Sequence, residues 1–163
     1  MQYEYAKEKY ASLGVDTEEA MRQLSGIKIS MHCWQGDDIK GFLFRDQELT
    51  GGIQATGNYP GAARTPAELR ADMEEAFRMI PGKHKVNLHS TYADTDEKID
   101  LNEIEPKHYA PWVEWAKEQG LGLDFNPTCF SHPKSESGFT LASADPAIRD
   151  FWVEHCKRSR RIG

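Results

Sequence analysis

The 163-residue chain has room for one domain with a substantial buried core. Its formal charge of -6 and pI near 5.5 argue against nucleic acid as a partner, because phosphate binding needs clustered Lys and Arg. No apolar run approaches spanning length and no basic-then-apolar leader opens the chain, so the expected setting is soluble and cytoplasmic, with no membrane partner.

Cys33, Cys129 and Cys156 are odd in number and show no C-x-x-C spacing. That pattern predicts neither a disulfide framework nor a structural zinc site. The basic run from Lys157 to Arg161 reads as a solvated helix end beside the negative pole of the macrodipole. The acidic tract Asp94 to Glu105 reads as a solvated loop and not a cation site.

In chain order, Tyr3, Ala6, Tyr10 and Leu13 are spaced as on a helix that Gly14 ends. Asp16 and Glu19 resemble a capping box for a second short helix with Ala20, Met21 and Leu24 on its buried side. Ile27, Ile29 and Met31 alternate with polar residues, which is the strand period. Residues 36–64, rich in Gly and polar side chains, read as a long loop.

Thr65-Pro66-Ala67-Glu68 then combines an N-cap, a Pro in the first turn and an acidic third position. The helix it opens carries Leu69, Met73, Ala76, Phe77 and Ile80 before Pro81-Gly82 stops it. Lys85 to His89 is the second strand. Trp112, Val113, Trp115 and Ala116 mark a helix ending at Gly120, and Leu121 to Phe125 forms the third strand. Asp145-Pro146 caps a last helix with Ile148, Phe151, Trp152 and His155 on one face.

Two helices followed by three strand-loop-helix repeats predict an α/β protein with a parallel sheet and right-handed crossovers. Residues 1–25 are expected to form an amino-terminal helical extension and residues 26–163 three βα units. No G-x-G-x-x-G or G-x-x-x-x-G-K follows a strand, which removes the main sequence support for a nucleotide-binding open sheet. A complete (β/α)8 barrel needs ~250 residues, so the barrel alternative requires a longer parent chain.

Each strand ends in polar or aromatic residues that a core has no reason to select, and strand carboxyl ends are where α/β active sites form. His32 and Trp34 lie in one line along the first strand and suit a sugar, with the ring stacking and the imidazole hydrogen-bonding. Ordinary core packing explains both equally well. His89 ends the second strand as a candidate for proton transfer to a substrate oxygen. Phe125 and Asn126 close the third strand as pocket candidates, and His132 follows in a loop expected over the same mouth. Asp124 faces opposite to Phe125 and reads as a turn or cap partner.

The strings His32-Cys33-Trp34-Gln35-Gly36-Asp37-Asp38, Gly51 through Gly61 and Gly122-Leu123-Asp124-Phe125-Asn126-Pro127 resemble the L-rhamnose isomerase family. Phe130-Ser131-His132-Pro133 and the Trp112 to Lys117 helix extend that resemblance over essentially the whole chain. It implies the first three βα units of a TIM-type (β/α)8 barrel that interconverts L-rhamnose and L-rhamnulose. It further implies a divalent metal, commonly Mn2+, and a homotetramer at full length.

The family's metal ligands lie on later strands, so no residue of this chain is assigned to metal. The resemblance implies a substrate-side wall of His32, Trp34, His89 and Phe125; position alone adds Asn126 and His132 to it and makes His89 the candidate for ring opening or proton transfer. An isolated three-strand piece is expected to be unstable or to associate, because closure of the barrel is missing. Two alternatives remain open here: a related aldose-ketose isomerase with another sugar preference, and a non-catalytic carbohydrate-binding or regulatory module.

Overall fold

A computed structural model describes residues 2–32, 41–43, 63–130 and 132–163. Helices α1 (Gln2–Ala11) and α2 (Thr17–Leu24) come first, then β1 (Ile29–His32), α3 (Pro66–Met79), β2 (His84–His89), α4 (Ala110–Gln119), β3 (Gly122–Asn126) and α5 (Pro146–Ile162). The strands form one parallel sheet in the order β1-β2-β3. The fold is α/β with a small parallel sheet, and each strand is followed by a helix as the alternation predicts.

Local chemistry explains the boundaries. The Thr65 hydroxyl accepts from Glu68 N–H at 3.2 Å and Pro66 needs no donor partner in the first turn, so α3 starts there. Asp16 caps α2 through the N–H groups of Glu18 and Glu19. Gly120 ends α4 in the left-handed region at φ 68°, and Asp145 caps α5.

One face of the sheet meets the helices. Val86 and Leu88 from β2 pack with Leu69 and Met73 of α3 and with Trp112, Trp115 and Ala116 of α4. Trp112 is fully buried, and its indole N–H donates to Tyr92 O at 2.8 Å. The Arg70 guanidinium lies 5.0 Å from the Trp112 ring centroid and pairs with Asp94 at 2.8 Å.

Two expectations change. Met21 and Leu24, predicted on a buried side of α2, are 46% and 60% exposed. The sequence period is amphipathic, but no buried residue occurs in either amino-terminal helix and nothing among the described residues covers that stripe. The acidic tract is also more built than a solvated loop. Leu101 and Ile104 enter the core, Glu97 pairs with Lys107, and Asp100 caps a 3₁₀ turn, Leu101–Glu103. Most of the predicted loop 36–64 lies outside the described residues. Gly41–Leu43 dock on Thr91 O through the N–H groups of Phe42 (2.7 Å) and Leu43 (3.3 Å).

Candidate active site

Strand alternation and register sort the strand-end residues onto two faces. His32, Asn87 and Asp124 are register partners, as are His89 and Asn126 two residues further along. These side chains therefore share the face turned away from the helices. Met31, Val86 and Leu123 align on the other face, followed by Leu88 with Phe125.

The two strand-end imidazoles converge. His32 and His89 have ring centroids 6.1 Å apart at an interplanar angle of 63°. The Asn87 amide nitrogen lies 3.2 and 3.1 Å from the two ring nitrogens of His32. Beside them, Lys85 donates to Asp124 at 3.0 Å. Its stem runs over Gly122, where a Cβ would sit only 2.8 Å from Lys85 Cγ. The Ser30 hydroxyl, facing the carboxylate short of strict hydrogen-bond geometry, and the Lys85 ammonium hold the Asp124 carboxyl below its usual range.

His89 is the most constrained member. Only 2% of it is exposed, and burial with His32 alongside pushes its pKa down to about 4. The ring is therefore neutral near pH 7. Its Nδ1 meets the Thr128 hydroxyl at 2.9 Å. That hydroxyl also accepts from Ser90 N–H at 3.3 Å and lies 3.2 Å from Asn126 O.

Thr128 has one proton to give. Donated to Asn126 O, it leaves Nδ1 as the donor and Nε2 as the acceptor; donated to Nδ1, it reverses both roles. A rotating hydroxyl thus sets whether His89 presents an acceptor or a donor at Nε2.

Thr128 holds this position at a cost. Its φ of 54° makes it the one non-glycine with positive φ among the described residues. Asn126 stabilises the turn by accepting Thr128 N–H at its side-chain oxygen, 2.8 Å away.

The remaining candidates fall elsewhere. Phe125 sits on the helix-facing side, edge-on to Tyr109 with centroids 4.9 Å apart, so it does not share a wall with His89. His132, 6% exposed, donates from Nε2 to Asp100 at 2.9 Å while its Nδ1 accepts Lys134 N–H at 3.1 Å. Its ring stacks on Phe151 at 4.7 Å. These contacts make it a post between the acidic segment and α5. Trp34 lies outside the described residues. Asn87, Lys85 and Thr128 were not among the sequence candidates, and Asp124 was read as a turn or cap partner. The strand period signals Asn87 and Asp124, since each interrupts an apolar pair, Val86/Leu88 and Leu123/Phe125. Thr128 carries no such signal.

Comparison with known proteins decides the family. The sequence model of the L-rhamnose isomerase (RhaA) family matches residues 1–163. The chain belongs to the L-rhamnose isomerase family. It is 71% identical over 160 residues to the L-rhamnose isomerases of Listeria monocytogenes serotype 4a (strain HCC23) and Listeria innocua serovar 6a. It is 58% identical over 160 residues to that of Escherichia coli O9:H4 (strain HS). Each match covers 98% of this chain and 38% of the relative, so the chain spans well under half the length of these L-rhamnose isomerases.

Proposed function

We propose that this chain is the amino-terminal part of an L-rhamnose isomerase, an aldose-ketose isomerase interconverting L-rhamnose and L-rhamnulose. The observation that carries the proposal is 58–71% identity along 98% of the chain to proteins named for that activity. The sheet supports it: three parallel strands, each followed by a helix, suit the opening βα units of a (β/α)8 barrel, with residues 1–25 as a helical extension. A cytoplasmic homotetramer is the proposed full-length form. Among the described residues no helix is long and apolar enough to cross a membrane.

Within this chain the proposed substrate-side wall is the face bearing His32, Asn87, His89 and Asp124. The neutral His89 ring hydrogen-bonds a sugar oxygen and assists ring opening by passing a proton between hydroxyl oxygens, with Thr128 fixing its tautomer. Asp124 and Lys85 present a fixed charge pair beside it. Trp34 is proposed as the stacking partner for the sugar's C–H face, and Asn126 supports the wall through the turn it closes.

A divalent metal, Mn2+ by family analogy, is proposed for the whole enzyme. The residues described here do not fit a metal centre: no group of three or more His, Cys, Asp or Glu among them is placed to hold one. By family analogy, the proposed ligands are carried by later strands of the full-length protein.

The test is ketose formation from L-rhamnose by the full-length protein with Mn2+, compared with L-mannose and other aldoses. Preferential turnover of L-rhamnose, reduced roughly 100-fold or more in kcat by His89→Gln, is expected. Sugar binding without turnover indicates a carbohydrate-binding module, and faster turnover of another aldose indicates a different isomerase.

A further inference from the structure

The sequence shows three scattered cysteines, but the fold brings two of them together. Cys129, in the turn after β3, and Cys156, on α5, have sulfurs 3.9 Å apart, both partly buried. We propose that Cys129 and Cys156 form a reversible disulfide when exposed to a hydroperoxide, and that closing it moves Thr128 relative to His89.

The geometry says which side gives way. A disulfide bond is ~2.05 Å long, so closure needs an approach of roughly 2 Å beyond the present contact. Cys156 is anchored: its helix buries Trp152 and His155 completely, and His155 is held by Leu101 O at 3.0 Å. Cys129 is the neighbour of Thr128, whose backbone already occupies the disfavoured positive-φ region. The turn therefore yields before the helix does. Because the Thr128 hydroxyl touches both His89 Nδ1 and Ser90 N–H, displacement of the turn reaches the strand-end histidine directly.

The chemistry assigns an order to the sulfurs. Cys156 lines a cleft between α5 and β3 with Leu123, Phe125, Pro127 and Ser159. Burial and the adjacent Cys156 raise the Cys129 thiol, and Cys129 does not line that cleft, so Cys156 is assigned the first attack. The Cys156 thiolate attacks the peroxide, breaking the O–O bond to give a sulfenic acid, the other oxygen leaving as water or an alcohol. The Cys129 sulfur then attacks the sulfenic sulfur; the S–S bond forms, the S–O bond breaks, and the hydroxyl leaves as water with the Cys129 proton. The peroxide is reduced by two electrons and the two thiols are oxidised by two. A dithiol reverses the bond by exchange.

The link itself does not depend on the isomerase proposal, and its test reads no activity. The full-length protein is treated with hydrogen peroxide, alkylated and digested without reductant. A Cys129–Cys156 linked peptide, lighter by two hydrogens than the separate thiol peptides, is expected in the majority of molecules and is lost on adding dithiothreitol. Cys156→Ser abolishes it and Cys33→Ser leaves it in place. In the same samples, the ring nitrogen resonances of His89 shift on oxidation of the wild-type protein and stay fixed in Cys156→Ser; Cys156→Ala serves if the Ser variant does not fold. Peroxide that oxidises Cys33 or methionines while Cys129 and Cys156 are alkylated separately overturns the disulfide. A linked peptide with unmoved His89 resonances overturns the coupling to Thr128.

Discussion

Lowering the pH from 7 toward 4 should destabilise the protein through His89, by an amount its burial sets. The unfolded imidazole titrates near its model value of 6.5, whereas the folded ring holds out to about 4. Between those values the unfolded state takes up a proton that the folded state refuses, so stability falls as pH falls. It is fully present above pH 6.5 and lost by about pH 4. The difference of about 2.5 pH units, at 1.36 kcal/mol per unit, is on the order of 3 kcal/mol.

His89 is 2% exposed, so solvent screening does not erase the effect. The assay is the urea midpoint of the full-length protein at a series of pH values, wild type against His89→Gln, which has no imidazole to titrate. The wild type should lose more stability than the variant across this window, and the excess should approach that magnitude. Histidine ring NMR gives an independent value for the same group. A His89 resonance titrating near 6.5, or identical pH profiles for the two proteins, refutes the reasoning from burial.

Further outcomes are expected away from the strand tips. Gly41→Ala places a Cβ 2.5 Å from Thr91 Cβ and 2.8 Å from Thr91 O at a φ of 87°, so thermal unfolding should show a loss of at least about 2 kcal/mol. Trp112→Phe removes the donor to the buried Tyr92 carbonyl, costing about 1–3 kcal/mol by denaturant titration; an unchanged midpoint contradicts that. Asp100→Asn removes the carboxylate that raises the His132 pKa against burial, so the His132 titration should move further down. The KM of the full-length protein for L-rhamnose should stay unchanged, since His132 is tied to Asp100, Lys134 and Phe151; a tenfold rise would place His132 in the sugar site.

Much of the architecture was legible because its signals are local. Thr65-Pro66 and Asp145-Pro146 announce helix starts through groups that satisfy their own first turns, and Gly120 ends a helix by adopting a backbone that other residues avoid. The convergence of His32 and His89 was legible too, because both end strands that parallel pairing sets side by side. Phe125 was grouped with them by its position at a strand end, yet a one-residue step in a strand turns a side chain to the other face. The same rule, applied strictly, puts Asp124 on the face of His32, across Asn87, and Phe125 on the other face, where it meets Tyr109.

By itself, the sequence determined the order of helices and strands, their caps, the parallel α/β class and the family, since each rests on nearest-neighbour chemistry or on long matching strings. Only the tertiary structure decided which strand-end residues share a wall, that Thr128 reaches back to His89, that His132 is held by Asp100, and that Cys129 meets Cys156. Those pairs are separated by 27 to 39 residues along the chain. No local pattern encodes such meetings; they depend on how the sheet register and helix packing close the intervening loops.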